Sequence, residues 1–279
     1  MAHIRLLLGP ALWCVLLAAA AADPQRIQLS ADAGEARVVA SAIHDYRSAA
    51  QAIAGVLGNE LRLPVPAYTM EVHATRAGFE AGLVQHLKLT PESARSTAAF
   101  AKAAVGGRRV LVNDPLLSAD PWPERLVTIA HEVVHASQLE LAGNRSLVRN
   151  QWLVEGFAEW VAFRIVHELG VRRLPEEKAK MLSQVRGAQA KVGLAPLADM
   201  DTLAQWLLVR QARGFDATYP YAFLATDFLI ERHSYDKVLA YFRRHRNSAD
   251  SQANFVAVFG ETLPAFQLAL DAHLARTLN

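Results

Sequence analysis

Residues 131–135 read His-Glu-Val-Val-His, and twenty residues past the second histidine the chain reads Trp152-Leu-Val-Glu155-Gly-Phe-Ala-Glu159-Trp160. These two segments constrain the fold more than any other feature. Side chains four apart on an α-helix lie about 40° apart around its axis, so a helical segment puts His131 and His135 within reach of one ion. The surroundings agree with a helix. From Leu126 to Leu139 apolar residues recur at helical spacing. Asp120, Pro121, Pro123 and Glu124 suit a helix start, and Gly143-Asn144 suits a helix end. The second segment reads as another helix, offering an acid at a plausible spacing for a third ligand.

Two imidazoles and one carboxylate form a ligand set for Zn²⁺ that leaves a fourth position for water, as catalytic sites do and closed structural sites do not. Glu155 is the expected third ligand. Glu132, one residue beyond His131, is close enough to act on a water at that metal. Glu159 follows Glu155 by one turn on the same face, where a carboxylate can accept the free ring N–H of a ligating histidine. The expected chemistry is hydrolysis assisted by one Zn²⁺ per chain, with Glu132 as general base. Zinc follows from the imidazole and carboxylate donors.

The pairing of His131-Glu132-x-x-His135 with Glu155-Gly-x-Ala-Glu159 resembles the gluzincin metallopeptidases, the thermolysin-like branch of the zinc peptidases. The Trp-Leu-x-Glu-Gly-x-Ala-x-Trp wording is especially similar to bacterial peptidase MA-like domains. The specific motifs cover 131–160; from about Tyr68 to the C-terminus the resemblance is one of pattern. It implies that His131, His135 and Glu155 hold zinc, that Glu132 is the base and that Glu159 supports a histidine. It also implies a short sheet beside the first zinc helix, whose edge strand pairs with an extended peptide. That role falls to Arg109–Asn113 and puts Leu111 and Asn113 at the substrate. An open edge holds a peptide backbone without regard to its side chains. The stretch beginning Thr218-Tyr219-Pro-Tyr221 resembles the tyrosine-led helix of the same domains. By that pattern Tyr219 is the donor to the developing oxyanion, with Tyr221 and His233 as alternatives. Met70-Glu71 is a fragment of an aminopeptidase motif whose flanking Gly and Asn are missing, which favours endopeptidase action.

The N-terminus reads as a secretory signal peptide over residues 1–22. It has a mildly basic start at His3 and Arg5, an apolar run from Leu6 to Leu17, and small residues at Ala18–Ala22 before Asp23-Pro24. The only cysteine, Cys14, lies inside it, so the mature chain is expected to carry no disulfide. That suits an exported enzyme, secreted or periplasmic. A net charge of +2 on 279 residues gives no reason to expect nucleic acid as a partner; the expected partner is a peptide or protein substrate. Arg243-Arg244-His245-Arg246 reads as a solvated helix face. No stretch after the signal is long and apolar enough to span a membrane.

The expected fold class is α+β, with residues 23–279 forming one domain: a small α/β part over 23–122 and a mostly helical part over 123–279. Strands are expected at Tyr68–His73 and Arg108–Asn113, and helices at 36–57 and 76–87. Further helices are expected near 125–141, 151–169, 175–191, 201–212, 220–233, 235–246 and 262–277. Two other classes of function stay open. One is a catalytically silent zinc-binding module of the envelope; the other is a zinc amidase acting on cell-wall peptide.

Overall fold

The computed structural model describes residues 23–31, 39–145, 147 and 149–278; the expected signal peptide lies outside them. The fold is α+β. Its sheet contains β1 (Gln25–Leu29), β2 (Tyr68–His73), β3 (Ala103–Gly106) and β4 (Arg109–Asn113), in the order β1-β2-β4-β3. β1 runs antiparallel to β2, β2 parallel to β4, and β3 antiparallel to β4. In β4, Val110, Leu111 and Val112 are all fully buried, so both faces of this strand are covered.

One face of the sheet, carrying Ile27, Met70, Val72, Val110 and Val112, joins the main apolar core with α1 (Tyr46–Asn59) and α5 (Trp122–Leu141). The other face is closed by α2 (Arg76–Leu87) and α3 (Pro91–Ala98), whose Phe79, Leu83, Ala94 and Ala98 pack on Leu111. A short α4 (Asp114–Leu117) turns the chain from β4 towards α5.

Helix α1 starts ten residues later than its Ala-rich pattern suggests. Asp45 accepts the Ser48 N–H at 2.7 Å while the Ser48 hydroxyl takes the Asp45 N–H at 3.2 Å, a reciprocal cap that fixes the first turn at Tyr46. Besides the short α4 and a helix at Ser251–Phe259, three further elements, β1, β3 and α3, have no counterpart in the periodicity reading. β3 has the sequence Ala-Ala-Val-Gly and no alternation of burial, so only its pairing with β4 makes it a strand. β1 is five residues long and buries only Ile27 and Leu29. By contrast, Thr90-Pro91 is a legible helix start for α3, with the Thr90 hydroxyl accepting the Ser93 N–H.

The remaining helices are α6 (Gln151–Glu168), α7 (Leu174–Val192), α8 (Leu203–Arg213), α9 (Tyr219–His233), α10 (Tyr235–Arg244), α11 (Ser251–Phe259) and α12 (Leu263–Thr277). Helix α6 is the centre of this part. Trp152, Leu153, Phe157, Val161, Ala162, Ile165 and Val166 on it are fully buried, and it packs chiefly against α5 and α9. Each of these apolar side chains larger than alanine contributes about 1.5–3 kcal/mol on burial. Gly156 sets the distance to α9. A Cβ there would stand 2.2 Å from the Ala222 carbonyl oxygen and 2.5 Å from the Thr226 hydroxyl. The glycine in Glu155-Gly-Phe-Ala is therefore a packing requirement, and the close crossing carries the start of α9 towards the helix that holds Glu155.

Candidate metal centre

Helices α5 and α6 lie side by side and bring three ligand atoms together. His131 Nε2 is 3.1 Å from His135 Nε2 and 3.2 Å from Glu155 Oε2, and His135 Nε2 is 3.8 Å from the same oxygen. Ligands about 2.0–2.2 Å from a shared tetrahedral ion stand roughly 3.3–3.6 Å apart, so this group could hold a metal ion. His131 and Glu155 are buried and His135 is half-buried.

Each ligand is also held from behind. His131 Nδ1 is 3.0 Å from Glu159 Oε2 and His135 Nδ1 is 2.8 Å from Gln138 Oε1. The Gln138 amide is oriented by Val154, because only its NH₂ end can donate to that carbonyl, at 2.8 Å. With an acceptor at each Nδ1, the neutral rings carry their protons there and present the Nε2 lone pairs to a common point. On the third ligand, Gln151 donates to Glu155 Oε1 at 2.7 Å, leaving Oε2 towards the histidines. The sequence reading placed Glu159 but missed Gln138 and Gln151. Their spacing was a usable signal: three residues after His135 and four before Glu155, each within one helical turn of a ligand.

The electrostatics match a cluster built for a cation. Burial alone would push His131 down. Hydrogen bonds to Glu155 and Glu159, and the charges of both, outweigh it and hold the imidazole well above its ordinary value. Burial would likewise push Glu155 up, but His135, His131 and the Gln151 donor bring it down to about 2. Two carboxylates face two imidazoles here, and among the described residues no arginine or lysine pairs with either carboxylate.

Glu132 is half-buried beside this cluster, and no described residue donates a hydrogen bond to its carboxylate. Burial pushes its pKa up, with the neighbouring histidines opposing. Tyr219 begins α9, its ring centroid 6.2 Å from that of His131, between Phe215 at 4.5 Å and Trp206 at 5.0 Å. Burial and the charge of Glu155 raise its hydroxyl pKa, so it stays protonated and able to donate. Tyr221 is 1 % exposed and its oxygen accepts from Gln267 on α12 at 3.0 Å; His233 faces Glu261 at 2.5 Å. Of the three donor candidates, only Tyr219 is brought to the cluster.

The edge-strand expectation needs correction. Arg109–Asn113 is an interior strand, paired on one side with β2 and on the other with β3. Leu111 is fully buried against Phe79 and Leu83, and the Asn113 side chain donates to the carbonyls of Ala101 and Ala98 at 3.0 and 3.3 Å. Neither can pair with a substrate, because ladder bonds and packing already occupy them. The edge that lies alongside α5 is β3, Ala103–Gly106.

Compared with models of protein families, with curated proteins and with solved structures, the chain matches none.

Proposed function

We propose that the protein is a zinc-dependent metallopeptidase of the gluzincin type, exported and acting as an endopeptidase. The observation that carries this reading is the convergence of His131 Nε2, His135 Nε2 and Glu155 Oε2 beside a Glu132 carboxylate that accepts no hydrogen bond from any described residue. Metal binding alone needs no such carboxylate; hydrolysis does. Zinc suits two imidazoles and a carboxylate, and when bound it supplies Lewis acidity and makes a water more acidic.

The protein's own groups perform the proton movements. Glu132 accepts the proton of the attacking water, for which its raised pKa suits it, and returns the proton to the leaving amine nitrogen. The Tyr219 hydroxyl donates to the oxygen on which negative charge develops. Glu159 and Gln138 keep the imidazoles turned and in one tautomer. The outer edge of β3 would take the extended peptide backbone in the place first given to β4.

The test is casein turnover and zinc content of the purified protein, with and without chelator, alongside Glu132→Gln. We expect close to one zinc per chain and chelator-sensitive turnover. Glu132→Gln should lower turnover by at least ~10²-fold while keeping its zinc. Wild-type turnover in that variant would remove Glu132 from the mechanism. A zinc-loaded protein that cleaves neither casein nor purified peptidoglycan would be a silent binding module. Cleavage of peptidoglycan alone would make it an amidase.

A further inference from the structure

Arg210 on α8 is half-buried, and its surroundings are unlike those of the other half-buried arginines. Arg109, Arg125, Arg164, Arg172 and Arg213 each donate to a carboxylate or carbonyl oxygen. The Arg210 guanidinium meets two aromatic rings instead. Its central carbon is 4.8 Å from the ring centre of Phe100 and 5.7 Å from that of Tyr219, and no described oxygen accepts from it. Tyr219 in turn stands against His131. Phe100 lies in the segment between α3 and β3, so the cation sits where the helical part meets the strand edge beside α5. Two rings of this platform, Phe100 and Phe215, are 53 % and 51 % exposed, although large apolar rings are normally buried.

Aromatic contacts fix a guanidinium in place without using its N–H donors. A planar fork so held can bind a carboxylate or a phosphate through two parallel hydrogen bonds, and of these a peptide substrate offers the carboxylate. We propose that Arg210, between Phe100 and Tyr219, is a subsite for a substrate carboxylate next to the metal centre. This assignment rests on the peptidase reading for the identity of the substrate. The carboxylate has two possible sources in a peptide: the C-terminus, or an Asp or Glu side chain near the cleaved bond.

The experiment measures binding and turnover separately. The probes are octapeptides of Ala, Leu and Phe carrying a single Glu, or Gln in its place, at each position in turn, with free or amidated C-termini. Affinities are measured on Glu132→Gln, alone and combined with Arg210→Gln or Arg210→Lys; kcat/KM ratios are measured on the wild type and on Arg210→Gln. We expect one acidic position, or the free C-terminus, to improve binding by roughly 10- to 100-fold over its neutral counterpart. Arg210→Gln should bring that ratio close to one, and Arg210→Lys should keep only part of it. The Glu/Gln arm and the free/amidated arm tell the two sources apart. A ratio that Arg210→Gln leaves intact, or neutral peptides that bind as well as acidic ones, would overturn the subsite. Arg210-dependent binding with no hydrolysis by the wild type would leave the subsite standing and remove the peptidase reading.

Discussion

Among the described residues, two places set a buried histidine beside a buried glutamate, and they are built differently. At the junction of α5 and α6, His131 and His135 turn their Nε2 atoms towards Glu155 with no described arginine or lysine against the carboxylates. Across the sheet, Glu71 on β2 is 1 % exposed and lies 3.1 Å from His86 Nε2 and 3.9 Å from His73 Nε2. There, Arg109 donates to the other Glu71 oxygen at 2.7 Å and Arg26 reaches it at 3.4 Å. The two imidazoles respond in opposite senses. His131 is held well above its ordinary value, whereas burial, with His86 and Arg26, outweighs Glu71 and pushes His73 down. Residue type and burial are shared, so they do not define a metal site. The difference is whether guanidinium groups have already balanced the carboxylate. The sheet cluster also borders a cavity of about 280 Å³, yet no residue of the metal centre lines it.

The largest expected effect comes from removing one imidazole from each cluster. His135→Ala should abolish zinc binding, and His86→Ala should leave about one zinc per chain. Metal analysis after purification checks both. Stoichiometric zinc in His135→Ala would move the metal elsewhere, and loss of zinc in His86→Ala would make the sheet cluster part of it.

Next in size is the contrast between the two glutamates of α6. Glu155→Ala should purify largely without zinc. Glu159→Ala should bind it about 10- to 100-fold more weakly, because it acts through the His131 ring; Gln138→Ala should do likewise through His135. A titration against a competing chelator gives the order. The reverse order would exchange the roles of Glu155 and Glu159.

In the sheet cluster the effect should be on stability alone. Glu71→Gln weakens the charge-assisted bond from Arg109 and should cost about 1–3 kcal/mol in denaturant unfolding, with zinc content unchanged. A change in zinc affinity without a change in stability would contradict the comparison.

The smallest effect is a pH dependence that differs between the metal-free and the zinc-loaded protein. The ordinary imidazole value is about 6.5. His131 is raised in the fold, so its contribution to stability is complete below about 6.5 and is lost as pH climbs through the raised value. Glu155 is lowered, so its contribution is present above the ordinary carboxylate value and is lost as pH falls through about 2. Zinc must displace the His131 proton, so its affinity should rise with pH as that proton leaves. Thermal melts of chelated and zinc-loaded protein across this range should show opposite slopes above pH 6.5. Parallel slopes would mean that His131 does not carry the proton.

By itself the sequence determined most of the longer helices and most of the centre, though not α3, α4, α11 or the start of α1. Periodicity, capping residues and the spacing of His131, Glu132, His135, Glu155 and Glu159 are local properties, and a helix converts spacing along the chain into a common face. The tertiary structure decided what depends on residues far apart in sequence. It made Ala103–Gly106 an edge and Arg109–Asn113 an interior strand, because strand order follows pairing and not composition. It brought Tyr219 to the histidines while burying Tyr221 against Gln267, two residues that stand side by side in the sequence reading but face different neighbours on α9. It also placed Arg210 between Phe100 and Tyr219, a contact spanning more than a hundred residues of chain that no local pattern encodes.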